Sequence, residues 1–319
     1  MTEPVLSIAD LAVEYRTKRA STRALDGVSL EIPHTGYTLG VVGESGSGKT
    51  TLGKSIMNAV DSPGKIVRGS IKFNGEEVTH MSQRQLASYR WQEVSMVFQS
   101  AMNTLNPVKR VSNPIVEVLR LHKGIGKGEA TERALKLLSE VGIPPDRAQD
   151  YPHELSGGMK QRVVIALALC LTPRLLIADE PTSALDVVTQ KQILTLLKKE
   201  VVENKLSMIF ITHEISLLEG LVENVAVMYS GEVVEVGSTN DVLRRPLHPY
   251  TQMLLSTLLT LDSGKNAEAP IPSAPQEIVM QEDSCRYSDR CPYVFDRCRK
   301  ERPHLREVEK GRWVSCHKY

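Results

Sequence analysis

The chain has 319 residues, of which 41% are hydrophobic and 24% are charged, and its formal net charge is +1. This is the composition of a globular protein with two domains, or with one large domain and an appendage, and its charge argues neither for nor against nucleic acid as a partner. An acidic start excludes a typical signal peptide, and the longest apolar run, residues 163–171, is far shorter than the roughly 18 residues that span a bilayer. We therefore expect a soluble, cytosolic protein that reaches a membrane only through partners.

The first part of the chain predicts several strands and one helix. Alternating or apolar runs bounded by turn residues predict strands over residues 5–8, 11–15, 24–30, 39–42 and 71–75. A glycine-rich loop follows residue 42, and we expect a helix from Lys49 to about Val60 after it. Ser62, Pro63 and Gly64 should end that helix.

The rest of the chain predicts alternating helices and strands. Residues 100–155 have helical spacing of apolar residues and are interpreted as a helical insertion. Further on, helices are predicted over 163–171 and 187–202, and strands over 175–178, 207–212, 225–229 and 232–236. Such alternation is typical of an α/β fold with a largely parallel sheet, and the last two strands should form a hairpin. A linker over residues 263–283, rich in Pro, Ala, Ser, Glu and Gln, leads into a cysteine-rich tail.

The glycine-rich loop carries the strongest functional signal. It matches the pattern G-x-x-x-x-G-K-[ST] and consists of Gly43, Glu44, Ser45, Gly46, Ser47, Gly48, Lys49, Thr50 and Thr51. Its backbone N–H groups can surround phosphate oxygens at the positive end of a helix. Lys49 can reach the outer phosphates, and the Thr50 hydroxyl can hold Mg²⁺. The sequence therefore predicts a nucleoside triphosphate site; a glycine turn that matches by chance would lack the preceding strand.

Two carboxylates follow the apolar strand at residues 175–178. Asp179 and Glu180 stand at its carboxyl end, where open α/β sheets bind their ligands. Asp179 is placed to orient Mg²⁺, directly or through water, and Glu180 to polarise a water molecule toward the γ-phosphate. A solvated acidic pair is the alternative, which the phosphate loop upstream disfavours.

A second anion-binding pattern lies at residues 155–162, where Ser156, Gly157 and Gly158 open a helix. Free N–H groups, a hydroxyl and the helix dipole would all favour an anion there. One nucleotide hardly needs two such sites, so we interpret the second as the receiver of a γ-phosphate held by another subunit. The alternative, for this pattern taken alone, is an ordinary helix start with flexible glycines.

These motifs together resemble those of the nucleotide-binding subunits of ABC transporters, over about residues 5–245. Residues 43–50 resemble the Walker A loop of that family, 155–162 its signature motif and 175–180 its Walker B strand. Four further positions match the Q-loop glutamine, the D-loop, the switch histidine and the aromatic residue that stacks on adenine; they are Gln99, residues 183–186 with Asp186, His213 and Tyr15. Tyr15 alone would be interpreted as a common core residue at the end of a strand.

The resemblance implies a fold, a site and an assembly. The fold is an α/β P-loop NTPase core (ABC ATPase), residues 1–245, with an antiparallel β subdomain and a helical subdomain at about 100–155. Glu180, His213 and Gln99 would be catalytic, and Thr50, Gln99 and Asp179 would hold Mg²⁺. Two subunits would form a head-to-tail dimer, each ATP lying between the Walker A loop of one and Ser156–Gly158 of the other. The Gln99 loop and the helical insertion, including residues 103–108, would contact a membrane partner.

The five cysteines are unevenly distributed. Cys170 stands alone in an apolar run and is predicted to be a buried small hydrophobe. The others form the pattern Cys-x5-Cys-x6-Cys-x17-Cys after a His-Pro-Tyr-Thr sequence at 248–251; they are Cys285, Cys291, Cys298 and Cys316. In a cytosolic protein such a cluster indicates a metal more often than disulfides.

This tail, residues 246–319, resembles the C-terminal extension of oligopeptide/dipeptide-type importer ATPases. The resemblance implies a [4Fe-4S] cluster on the four cysteines, with zinc or free thiols as alternatives. The spacing lacks the C-x2-C pairs usual for zinc. Residues 284–291 differ in detail from the family pattern but keep the cysteines, and His317 is not expected to be a ligand.

The resemblance implies an importer that depends on an extracytoplasmic solute-binding protein. The chain would be its ATPase, held at the cytoplasmic face of the cell membrane by two transmembrane permease subunits and paired with a second, non-identical ATPase; no nucleic-acid partner is expected. Peptides are the default substrate, with oligosaccharides, nickel or glutathione as alternatives. The other hypothesis is a soluble ABC ATPase of translation, DNA repair or cofactor assembly. It is disfavoured by the single cassette, the short insertion and the tail.

Overall fold

The computed structural model describes residues 3–17, 21–99, 104–183, 185–263 and 283–319, with only the backbone for residues 257–263. The predicted linker is therefore outside the described residues over 264–282, as are Ala184 of the predicted D-loop and residues 100–103. The chain forms two compact units. The first consists of Met1–Pro33, Thr38–Thr79 and Phe210–Tyr319, and the second of His34–Tyr37 and His80–Ile209.

The strands are β1 (Leu6–Arg16), β2 (Ser21–Ile32), β3 (Thr38–Val42), β4 (Gly64–Phe73), β5 (Glu76–Glu77), β6 (Val94–Val97), β7 (Leu175–Asp179), β8 (Ser207–Thr212), β9 (Asn224–Tyr229), β10 (Glu232–Ser238), β11 (Arg306–Glu309) and β12 (Arg312–Val314). The α-helices are α1 (Lys49–Ile56), α2 (Gln83–Ser88), α3 (Asn113–Lys123), α4 (Lys127–Glu140), α5 (Gly157–Leu169), α6 (Val187–Asn204), α7 (Thr239–Arg244) and α8 (Pro249–Ser263). The chain passes from the second unit into the first within β8.

One sheet of the first unit is antiparallel, with the strand order β2-β1-β4-β5. Strands β1, β2 and β4 of this sheet contribute apolar residues that are completely buried, such as Leu11, Leu25 and Ile71. The prediction of two strands at the start of the chain is corrected: β1 is continuous. The register shifts between Ile8 and Leu11, where Asp10 has a φ of 48°, so the polar interruption is a bulge.

A second group of strands in the first unit has the order β11-β12-β10-β9-β3. The glycine-rich loop follows β3. β3 and β9 are parallel, and β9 and β10 form the predicted antiparallel hairpin. β12 from the tail pairs with β10, and the buried Arg312 donates a hydrogen bond of 3.4 Å to Glu235. The predicted boundary at residues 245/246 thus lies inside this unit.

The predicted helix after the glycine-rich loop ends earlier than expected, at Ile56.

The second unit contains the predicted helical insertion. Its helices α3, α4 and α5 bury apolar faces that include Ile115, Leu119, Leu138 and Ile165, because apolar residues recur at helical spacing. β6 and β7 pair in parallel, so the carboxyl end of β7 and the segment after β6 lie at the same edge. Cys170 is buried as predicted, and burial raises the pKa of its thiol to about 12. Within the described residues, no helix combines the length and apolarity that crossing a membrane requires.

Candidate nucleotide-binding site

The glycine-rich loop lies between β3 and α1 in the first unit. Gly48 caps α1 with a φ of 101°, a backbone conformation that residues with a side chain rarely adopt. The Lys49 Nζ donates hydrogen bonds to the backbone oxygens of Gly43 and Glu44, at 2.7 and 2.8 Å, and contacts the Ser47 hydroxyl at 3.4 Å. The loop therefore presents a buried ammonium group and the N-terminus of a helix at one place, which suits an anion.

Glu44, the second residue of the loop, is held by two residues of the C-terminal part of the chain. Its backbone N–H donates a hydrogen bond of 2.8 Å to the Tyr250 hydroxyl. Its carboxylate accepts two hydrogen bonds of 2.9 Å from the Arg290 guanidinium, which also lies over the rings of Tyr229 and Tyr287. No local pattern in the sequence indicates these contacts.

Tyr15 lies near the end of β1, opposite Gly64 of β4. The tyrosine is partly exposed, and its ring packs so closely on Gly64 that a side chain at that position would collide with it. Because Gly64 has no side chain, the Tyr15 ring can lie against β4. The remaining exposed surface of the ring is available for stacking.

Two predicted catalytic residues meet in the second unit. Asp179 ends β7 and is 1% exposed, and Glu180 follows it with a φ of 46°. The Gln99 Nε2, in the segment after β6, donates a hydrogen bond of 2.9 Å to the Glu180 carboxylate. The unusual backbone conformation turns Glu180 out of the strand direction, and such conformations concentrate at functional sites.

The predicted signature residues form the exposed start of α5, also in the second unit. Ser156 and Gly157 are exposed, and the Ser156 hydroxyl accepts a hydrogen bond of 3.3 Å from the Met159 N–H. A side chain at Gly158 would collide with the methyl group of Thr189 in α6. This close approach couples the turn to the predicted D-loop residue Asp186. Asp186 caps α6, and its hydrogen bonds from the Thr189 hydroxyl and N–H lower the pKa of its carboxyl.

His213 follows β8 directly, as predicted, and belongs to the first unit. About half of its side chain is exposed, and its Nε2 lies 3.9 Å from the Glu214 carboxylate. An exposed imidazole at the carboxyl end of a strand can reach a ligand without disturbing the core.

The four tail cysteines line one cavity, which we call the four-cysteine cavity; its cysteines are Cys285, Cys291, Cys298 and Cys316. All four are free thiols. Burial and neighbouring thiols raise the pKa of the Cys285 thiol to about 12, and burial also raises the pKa of Cys291 and Cys316. In the part of the chain that the structure describes, no three Cys, His, Asp or Glu side chains are arranged around one metal ion.

Two family profiles match the chain. The ABC transporter profile matches residues 25–183, which include the glycine-rich loop, the signature turn and the strand with Asp179. The profile of the C-terminal region of oligopeptide/dipeptide transporters matches residues 234–298, which include Tyr250, Arg290 and three of the cysteines.

Characterised proteins resemble the chain over nearly its full length. The dipeptide transport ATP-binding protein DppD of Escherichia coli (strain K12) is 39% identical over 98% of this chain and 96% of its own length. The oligopeptide transport ATP-binding protein OppD of Salmonella typhimurium is 40% identical over 98% of this chain and 93% of its own length. The structure of the ATP-binding cassette MJ0796, a dimer bound to ADP and Pi, matches with a TM-score of 0.67 and 28% identity, covering 73% of this chain and 98% of that one. This chain therefore has the ABC ATPase fold and belongs to the ATP-hydrolysing subunits of ABC transporters, in the oligopeptide/dipeptide transporter family.

Proposed function

We propose that this chain powers the uptake of dipeptides or oligopeptides by an importer that depends on a solute-binding protein. The observation that carries the proposal is the presence, on one chain, of a phosphate-binding loop and the C-terminal region of oligopeptide/dipeptide transporters. The relatives named for dipeptide and oligopeptide transport favour peptides over oligosaccharides, nickel or glutathione.

ATP binding is proposed to depend on the loop at residues 43–51. The Lys49 ammonium would move from its two backbone carbonyls onto the outer phosphates, and the N-terminal N–H groups of α1 would bind the phosphate oxygens. Tyr15 would stack on adenine. Thr50, Asp179 and Gln99 would each supply an oxygen ligand of the kind that Mg²⁺ prefers. When bound, the ion neutralises charge on the phosphates.

Hydrolysis is proposed to depend on Glu180, with Gln99 and His213. The Glu180 carboxylate would accept a proton from water attacking the γ-phosphate, and the Gln99 amide would orient both the carboxylate and the water. His213 would contact the γ-phosphate. These roles need little chemistry from the protein, because phosphoryl transfer depends mainly on positioning and on charge.

We propose that two such subunits close on ATP head to tail, with Ser156, Gly157 and Gly158 of one reaching the nucleotide of the other. The exposure of this turn supports the proposal, as do two exposed apolar residues at the start of α6, Val187 and Val188 at 79% and 68%. A dimer would cover them. The similar MJ0796 cassette is dimeric in its structure with ADP and Pi, which supports a dimer here.

The proposed assembly contains two transmembrane permease subunits, a second and non-identical ATPase, and an extracytoplasmic solute-binding protein. The permeases would hold the chain at the cytoplasmic face of the membrane. Phe98, next to Gln99, and Val108, at the end of the predicted contact segment 103–108, are exposed apolar residues, at 39% and 79%. Functionally, residues 1–245 would be the cassette and 246–319 the extension of the importer family.

We propose that the four-cysteine cavity holds a [4Fe-4S] cluster. Each iron of such a cluster binds one thiolate, so the sulfurs must surround a cavity, whereas zinc needs its ligands around a single ion. The four cysteines line one common cavity, which suits the first arrangement. When bound, the cluster would cross-link four points of the tail.

Iron and acid-labile sulfide should be present in equal amounts in protein purified without oxygen. We expect Cys298→Ala to lower both strongly, since it removes one ligand, and Cys170→Ala to leave both unchanged, since Cys170 does not line the cavity. Metal analysis of the three proteins measures this. Zinc without sulfide would identify the alternative metal, and thiols that react fully in the untreated protein would exclude any bound metal.

The transport proposal is tested by expressing the chain with the permease, ATPase and solute-binding genes of its own importer. We expect the chain to copurify with integral membrane subunits. We also expect dipeptides or oligopeptides with the solute-binding protein to stimulate ATP hydrolysis. Purification without a membrane partner, together with stimulation by DNA or ribosomes, would instead support a soluble ABC ATPase.

A further inference from the structure

We propose that Arg290 and Tyr250 are positioning residues for ATP binding, which act on the phosphate-binding loop through Glu44. The inference rests on the proposed nucleotide site. Arg290 and Tyr250 belong to the C-terminal part of the chain, and neither would touch the nucleotide. Their contact with the loop is direct, since both hydrogen-bond to the same loop residue.

The ion pair between Arg290 and Glu44 reduces the repulsion between the Glu44 carboxylate and bound phosphates. A carboxylate in a loop that surrounds phosphates repels them, unless a cation neutralises it or holds it aside. The Arg290 guanidinium does both with two parallel hydrogen bonds of 2.9 Å, a geometry that lysine cannot reproduce. The pair is partly buried, with side-chain exposures of 25% for Arg290 and 39% for Glu44, so solvent screens it less than a surface pair. The hydrogen bonds to Glu44 raise the pKa of Arg290 further above its usual value.

The Tyr250 hydroxyl fixes the backbone of the same residue. Tyr250 is fully buried, and its ring packs on those of Tyr229 and Tyr287, with centroids 4.7 and 5.6 Å away. A buried aromatic side chain in such a cluster has little freedom. Its hydroxyl therefore accepts the Glu44 N–H at a fixed position, which orients the start of the loop.

The same part of the tail reaches the loop by a second route. Arg286 donates a hydrogen bond to the Ser230 backbone oxygen. The next residue, Gly231, donates its N–H to the Ser47 backbone oxygen at 3.0 Å. Arg286 and Arg290 both lie between the first two cysteines of the four-cysteine cavity. The conformation of that short segment therefore affects the positions of two loop residues, Glu44 and Ser47.

The test compares ATP affinity at equilibrium in the full-length chain and its variants. We expect Arg290→Ala to weaken ATP binding about tenfold, or about 1.4 kcal/mol. KM should rise by a similar factor, whereas kcat should change less than about twofold, because the reacting groups are untouched. Arg290→Lys keeps the charge and should recover part of the affinity. Tyr250→Phe loses only the hydroxyl and should weaken binding less than Arg290→Ala. Arg297→Ala is the matched control and should leave affinity unchanged, since among the described residues that tail arginine pairs with the exposed Glu301 and not with the loop.

A second substitution separates positioning from general damage to the fold. If the unpaired carboxylate is what weakens binding, Glu44→Ala in the Arg290→Ala background should restore part of the affinity. Unchanged affinity in Arg290→Ala, or losses that simply add in the double variant, would overturn the proposal. Wild-type protein that binds no ATP, or that binds it equally well after Lys49→Ala, would instead overturn the proposed nucleotide site itself.

Discussion

The Glu180→Gln variant should bind ATP as the wild type does and hydrolyse it about 10²–10⁴-fold more slowly, the usual contribution of a positioned general base. Glutamine has the same shape and keeps an oxygen that can accept the hydrogen bond from the Gln99 amide. It cannot accept the proton of the attacking water. The fold and the nucleotide site should therefore persist while turnover stops.

This loss of turnover should also trap the assembly in its closed form, because we expect hydrolysis to reopen the proposed dimer. Size-exclusion chromatography with ATP should then give a dimer that the wild type forms only transiently. The experiment needs the native partner ATPase if the two sites are unequal. Glu203→Gln, on the exposed face of α6, is the control and should behave as wild type. Hydrolysis near the wild-type rate in Glu180→Gln would remove Glu180 from its proposed role.

The Lys49→Ala variant should lose affinity for ATP about 10- to 100-fold, as expected for a lost hydrogen bond to a charged group. The Lys49 ammonium is buried and already lies against three oxygens of the loop, so the phosphates would find it in position. Removing it leaves the negative charge of the triphosphate without its nearest cation. Binding, rather than the chemical step, should show the main effect.

Calorimetric titration with ATP measures this change, and a thermal melt shows whether the loop stays folded without the lysine. Lys54→Ala is the matched control, because Lys54 lies about 1.4 turns further along α1 and pairs with Asp61 at the surface. We expect it to bind ATP normally. Equal losses in both variants would mean that the effect comes from a damaged helix and not from a missing phosphate ligand.

Local patterns predicted most of the elements, and long-range contacts explain where they failed. The strand over Ser207–Thr212 has the predicted bounds, since a run of buried apolar residues is a strong local signal. The interruption at Asp10 was interpreted as a gap between strands, because a bulge depends on the neighbouring strand and leaves little trace in one segment. The helix after the loop stops at Ile56 although apolar residues continue, and Asn58 then has a φ of 47°.

The same reasoning applies to the site. The phosphate-binding loop and the Asp179–Glu180 pair are short motifs and could be recognised from sequence alone. The contacts of Glu44 with Tyr250 and Arg290 could not be recognised, because these partners follow Glu44 in the sequence by 206 and 246 positions. An arginine beside a cysteine gives no indication of its distant partner. The sequence could predict that the four cysteines lie together, but not that the residues between them contact the loop.

The pairing of β12 with β10 has a practical consequence. β10 is a largely buried strand, and without the tail one of its edges would present unpaired N–H and C=O groups to solvent. Open edges of this kind recruit strands from other molecules, whereas β11, the outermost described strand on this side, is short and rich in charge. A fragment trimmed to the cassette alone would therefore tend to aggregate, and its low activity would say nothing about catalysis.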